Sequence, residues 1–193
     1  MVAAERLFAE HGIAGVSLRD VSAAAGHRNH SAAQYHFGDR RGVVAAVYLS
    51  HMARVDARRS ALLAELIEAG TTDDVASMVH AVLLPIVEEI TTSEGWYARF
   101  LLRTRWDPVA VDVVAGLEST TALLEIGRHL VTALQHLPAP IRKSRLDQLF
   151  NLVVTTLASW EWAHDRGERR LPVDALVADL TATGTAVLLA PQP

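Results

Sequence analysis

From Leu7 to Gly38 the chain reads LFAEHGIAGVSLRDVSAAAGHRNHSAAQYHFG, a run that sets three helix stops in close succession. Ala4, Leu7, Phe8 and His11 stand at i, i+3, i+4 and i+7, one face of a first helix, and Gly12 supplies its left-handed stop. Ser17-Leu18-Arg19-Asp20 has capping-box spacing, so Ser17 is expected to cap a second helix that runs to Ala25 and ends at Gly26. The polar run His27-Arg28-Asn29 follows. Asn29 is the natural N-cap of a third helix, Ser31 to His36, closed at Gly38.

Working outward, Asp39 is placed to cap a fourth helix carrying Val43, Val44, Val47, Met52, Val55, Leu62, Leu63, Leu66 and Ile67, with Gly70 as its stop. Its length suits a connector between two parts of the molecule. Thr71-Thr72-Asp73-Asp74 opens a helix expected through Ile90, and Thr92-Ser93-Glu94 opens another that stops before Asp107-Pro108. Val109 to His136 reads as one further helix, ended by Pro138 and Pro140. Two last helices, about Ile141 to His164 and Val173 to Leu189, are separated by the polar break from Asp165 to Arg170. No strand pattern, repeat or low-complexity tract interrupts this series.

Composition agrees with an all-α chain. Of 193 residues 50% are hydrophobic and 21% charged, with 31 alanines, and mean hydropathy is +0.18. A chain of this size buries roughly 70% of its unfolded surface, which excludes disorder. There is no cysteine. That removes disulfides, thiol nucleophiles and thiolate zinc sites, and with no signal-peptide pattern and no run of 18 apolar residues the chain reads as cytoplasmic, without a membrane partner. Arginine outnumbers lysine 17 to 1, a bias that suits phosphate contacts but has no necessary function.

The formal net charge of −4 conceals a division. Residues 1–60 hold 8 Arg against 5 acids, a balance of +3, while residues 61–193 hold 10 basic and 17 acidic side chains, a balance of −7. The basic end coincides with the three short helices.

Two stretches, LFAEHGIAGVSLRDVSAAAG and SAAQYHFGDRRGVVAAVY, resemble the DNA-binding domain of the tetracycline-repressor (TetR) family of bacterial regulators. The resemblance is carried by Leu7-Phe8 and Gly12, by Ser17 with Arg19-Asp20-Val21, by Ala25-Gly26 at the turn, and by Tyr35-His36-Phe37. A helix-turn-helix needs small residues between its helices so that the second can lie in the major groove, and Ala24-Ala25-Gly26 meets that need. The resemblance implies DNA contacts at His30, Ser31, Ala32, Gln34, Tyr35, His36 and Arg40, with Ser17 meeting phosphate from the second helix. Gln34 suits direct readout, since an amide pairs bidentately with adenine. Ser17, Tyr35 and Arg40 suit the backbone; a cation gains nothing at a helix N-terminus, so a phosphate would account for Arg40. Arg28 is suited to guanine or to phosphate, and Asn29 lies beside it. The segment from Gly26 to Phe37 is one residue longer than is usual in the family, the extra residue lying in His27-Arg28-Asn29. The first helix starts a turn or two late with no basic arm before it, which leaves room for a longer native chain.

Other constellations admit a plain reading beside a functional one. His27, His30 and His36 lack the further ligands that a metal site needs, so neither metal nor cofactor is expected. Trp96, Phe100, Arg103, Trp106 and Trp160 could line an effector cavity in which rings stack and an arginine meets a carboxylate, or could simply fill a core. Glu88-Glu89 reads as a solvated face. No nucleophile elbow, phosphate loop or zinc-binding helix motif is present, so no enzyme is expected.

The combined expectation is an all-α protein with a helix-turn-helix domain over residues 1–45 and a helical effector-binding and dimerisation domain over 46–193. By resemblance it is a homodimeric regulator, most simply a repressor, on near-palindromic double-stranded operator DNA, released by a small molecule; in the family the last two helices pair as a four-helix bundle. The competing reading is a helical small-molecule-binding or scaffold protein without DNA binding, which the acidic total allows.

Overall fold

The structure, a computed structural model, describes residues 1–26, 32–92, 95–117 and 120–192, with side chains described from residue 34 in the second segment. Among the described residues there are ten helices and no strand. They are α1 (Val2–His11), α2 (Leu18–Ala24), α3 (Ala32–Phe37), α4 (Arg40–Glu68), α5 (Val75–Thr92), α6 (Tyr97–Thr104), α7 (Pro108–Ala115), α8 (Thr121–Ala133), α9 (Ala139–Asp165) and α10 (Val173–Leu189).

The expected local signals operate where helices start and stop. The Ser17 hydroxyl accepts the backbone N–H of Asp20 at 3.2 Å, and the Asp20 carboxylate accepts the backbone N–H of Ser17 at 2.8 Å, a complete capping box. Asp39 accepts the N–H of Gly42 at 2.9 Å and opens α4. The expected stops Gly12, Gly26, Gly38 and Gly70 all take positive φ.

Gly42 is required for a different reason. A Cβ there would lie 1.8 Å from the Phe37 carbonyl oxygen, so only glycine lets α4 begin directly against the end of α3.

Packing falls into two connected parts. α1, α2 and α3 form a small cluster on the start of α4, with Ala4, Phe8, Ile13, Val16 and Val21 buried against Val43, Val44 and Val47. The larger part is built around α5, which packs against α4, α8 and α10, while α6 packs on α9 and α9 on α10. By length and composition α5 could cross a membrane, yet 61% of it is buried inside the protein, so its apolarity matches a central place in the core. α10 approaches closely: a Cβ on Gly184 would meet Leu149 Cδ1 at 2.7 Å and Val79 Cγ1 at 3.0 Å.

α4 joins the two parts. At 29 residues it is about 44 Å long, and it passes residues 45 and 46 unbroken. α1 is held to both parts, since it packs on α2, α4 and α6.

Two expectations are corrected. The helix expected from Val109 to His136 is two helices, α7 and α8, separated after Gly116. The helix expected from Thr92-Ser93-Glu94 begins at Tyr97, with Trp96 as its N-cap. Both late starts are capped from a distance. Asp56 of α4 accepts the N–H groups of Ala122 and Leu123 at 3.2 and 3.3 Å, and Glu161 of α9 accepts those of Ala98 and Arg99 at 3.1 and 3.0 Å. Burial pushes the Glu161 carboxyl pKa up, while these N–H groups and the Arg99 guanidinium pull it down; burial prevails.

Candidate nucleic-acid interface

α3 is six residues long and packs on α2 and α4. Phe37 is half-buried and anchors it against the core. Gln34, Tyr35 and His36 are all exposed, Tyr35 at 86%, with the His36 ring edge-on to Tyr35 at a 5.3 Å centroid separation. An exposed aromatic beside an amide and an imidazole gives little to folding and offers donors, acceptors and a ring to a partner. Ala32 starts the helix, with its backbone alone described, whereas Arg28, Asn29, His30 and Ser31 lie outside the described residues. So do two members of the histidine trio, His27 and His30.

Arg40 has an internal duty that the sequence did not reveal, and Ser17 has the capping duty that it did. The Arg40 Nε donates to the Val16 carbonyl at 3.1 Å, tying the start of α4 to the residue before the α2 cap. That bond uses Nε alone, so internal anchoring and a phosphate contact through the terminal nitrogens are compatible. Ser17 differs, because a hydroxyl has one proton and Ser17 gives it to Asp20 at 2.6 Å. That bond lowers the Asp20 pKa, so the neighbour stays anionic. A phosphate contact from Ser17 would have to displace it.

Behind this surface lies a buried chain of charges. His51 of α4 stands between two carboxylates: its Nδ1 is 2.6 Å from Glu89 Oε1 on α5 and its Nε2 is 2.8 Å from Glu5 Oε2 on α1. Both ring nitrogens face acceptors, so the arrangement is complete only with an imidazolium. Burial lowers the His51 pKa, but the hydrogen bonds and charges of Glu5 and Glu89 outweigh it and hold it above its ordinary value. For Glu89 burial raises the pKa, and Arg54 and His51 bring it below the ordinary value. Arg54 Nε donates to Glu89 Oε2 at 3.0 Å, and its Nη2 reaches Oε1 as well. Tyr97 of α6 stacks on the imidazole at 4.0 Å. Glu89, read as half of a solvated face, is therefore buried; Glu88 faces Arg58 at 3.1 Å instead.

The five expected effector contacts are dispersed. Phe100 is fully buried, packed near Phe8 and Tyr97 at centroid distances of 6.2 and 6.5 Å. Trp160 is buried under Arg170, its Nε1 donating to the Leu171 carbonyl at 2.8 Å. Trp96 and Arg103 line a cavity of about 550 Å³ between α1, α6 and α9. Arg103 also borders a second hollow of about 480 Å³, with Trp106, which is 71% exposed. Phe100 and Trp160 thus serve the core, while Trp96 and Arg103 share a concave surface with Arg99 and Trp162.

Residues 1–47 match the family model described as bacterial regulatory proteins, tetR family. The fold matches that of PfmR, a TetR family transcriptional regulator from Thermus thermophilus, with a TM-score of 0.55 over 99% of this chain and 97% of that one. Sequence identity in that alignment is 16%, so it speaks for the fold alone. None of the curated proteins compared with the chain matches it. Over residues 1–47, the stretch that holds α1, α2, α3 and the start of α4, this chain is similar to the tetR family of bacterial regulatory proteins.

Proposed function

We propose that the protein is a cytoplasmic, homodimeric repressor that reads a near-palindromic operator with α3 and is released by a small-molecule effector. The observation that carries this reading is α3 itself: Gln34, Tyr35 and His36 project from a helix held by Phe37, next to a tetR-family match over the same residues. Gln34 is assigned to base readout, Tyr35 and Arg40 to phosphate, and Arg28, Asn29, His30, Ser31 and Ala32 complete the contact surface by resemblance. Ser17 has the secondary role of holding α2 at the right angle through its capping box.

Dimerisation is assigned to α9 and α10. Their outer surface keeps Phe150 and Leu189 exposed, at 37% and 51%, and a two-fold pair would present two copies of α3 to successive half-sites. The effector-binding and dimerising part then begins near residue 46, within α4. Release follows if effector and DNA favour different separations of the two copies of α3, by as much as the effector's affinity differs between the two states.

Fragmented genomic DNA retained at moderate salt by the purified chain, then sequenced, tests the reading. Enrichment of one near-palindrome, lost with Gln34→Ala and Arg40→Ala together, is the expected result. Retention with no enriched sequence, or none at all beside intact binding of small molecules, would favour the helical binding protein without an operator.

A further inference from the structure

The cavity between α1, α6 and α9 has a chemistry of its own. At about 550 Å³ it is large enough for a ligand of one or two rings. Its charged groups are not equivalent. Asp165 accepts from Arg99 Nη2 at 2.5 Å, Arg99 Nε also donates to Glu161 at 3.1 Å, and Glu10 lies 3.7 Å from His11. Arg103 alone among these side chains has no carboxylate partner among the described residues: its Nε donates to the Ala9 carbonyl at 3.2 Å, and its terminal nitrogens have no protein acceptor there. One face of Trp96 is covered by the Arg99 guanidinium at 4.1 Å, whereas Trp162 is 57% exposed at the cavity.

We propose that this cavity is the effector site, that it takes a flat aromatic carboxylate, and that occupancy acts directly on α1; the proposal rests on the regulator reading above. The ring lies against Trp162 and the carboxylate takes the Nε and Nη edge of Arg103, where the Ala9 carbonyl otherwise accepts. A carboxylate is a stronger acceptor for a guanidinium than a neutral carbonyl, so the ligand competes with Ala9 for Arg103. Ala9 lies in the last turn of α1, the helix on which α2 and the start of α4 pack. Weakening that bond loosens the attachment of the reading domain to α6, and by linkage bound DNA weakens the ligand by the same factor. Asp165 is engaged by Arg99, and the guanidinium of Arg103, which has no carboxylate of its own among the described residues, sets the preference for an anion over an amine.

Calorimetric titration of the full chain with 1-naphthoate, its neutral amide and 1-naphthylmethylamine tests the site, with the DNA retained by the same preparations measured alongside. The acid is expected to bind at least tenfold more tightly than the amide or the amine. Arg103→Gln should erase the difference between acid and amide, and Trp162→Ala, at an exposed position, should weaken all three ring compounds without disturbing the fold. Saturating acid should lower DNA retention by the wild type and not by Arg103→Gln. Tightest binding by the amine, an unchanged acid affinity in Arg103→Gln, or no binding of any of the three at millimolar concentration would overturn the proposal. Failure of the ligand-free chain to retain DNA would instead strike the regulator reading, since the titration reads the cavity without DNA.

Discussion

α3 and the His51 bridge are opposite solutions to placing polar groups. On α3, Gln34, Tyr35 and His36 face solvent and make almost no demand on the fold. In the bridge, Glu5, His51 and Glu89 are each at most 6% exposed, and each depends on the other two. A reading surface must be free to meet a partner, so its residues are spared structural work. A coupling element must be satisfied internally, because an unpaired buried charge is costly. Under the proposed function, specificity belongs to the first, and the second ties α1, α4 and α5 together.

The sharpest break in this comparison is His51→Ala. It leaves two buried carboxylates facing an empty space, with Arg54 still on Glu89. A loss of about 3–5 kcal/mol in urea unfolding is expected. A loss under about 1 kcal/mol would mean that the bridge does not carry structural weight. Gly42→Ala comes next, since its Cβ would overlap the Phe37 carbonyl. About 1–3 kcal/mol of stability should be lost as α3 and α4 move apart, together with most DNA retention. Gln34→Ala should leave the melting curve within about 0.5 kcal/mol while reducing discrimination between sites by about 1–3 kcal/mol. Arg40→Ala should weaken all sequences alike and lower the slope of log affinity against log salt by about 0.9. Equal effects of the two on discrimination would collapse the division between readout and anchoring.

The smallest expected effect is that of pH. The folded His51 pKa lies above its ordinary 6.5, so its stabilisation is whole below that value and is lost as pH rises through the folded pKa. Glu89 has the opposite sign: lowered below 4.5, it contributes above that value and loses its contribution as pH falls through the folded pKa. Stability from the bridge should therefore peak between about pH 4.5 and 6.5 and decline on the alkaline side. The groups facing His51 are Glu5 from α1, Glu89 from α5, Arg54 from its own helix and Tyr97 from α6. Melting curves across this range, with His51→Ala as reference, check it; an alkaline decline that persists in the variant would assign it elsewhere.

What was legible in the sequence follows from how far each helix end reaches for its partners. Ser17 with Asp20, and Asp39 with Gly42, satisfy their helices within three residues, and these starts were read correctly. α6 and α8 start on carboxylates from Glu161 and Asp56, more than sixty positions away, and both were misplaced. The resemblance names candidate contacts, of which Gln34, Tyr35 and His36 are exposed on α3, but it does not give the bond from Arg40 to Val16, which ties part of that guanidinium to the fold. The bridge was invisible for the same reason. Glu5 looks like a surface residue of an amphipathic helix, and only the approach of α4 and α5 shows otherwise. Arg59 is a further case, a buried guanidinium donating to the Val82 carbonyl at 3.3 and 3.1 Å. Among the aromatics, nothing local separates Phe100 and Trp160 in the core from Trp96 at a cavity.

The most direct test of the separation between reading and folding is one paired measurement: melting temperature and retention of the enriched DNA fragment, on the same samples of wild type and a Gln34→Ala, Tyr35→Ala double variant. The account predicts coincident melting curves and at least a tenfold loss of retention in the variant. Unchanged retention, or a loss that appears only with a collapse of stability, would contradict it.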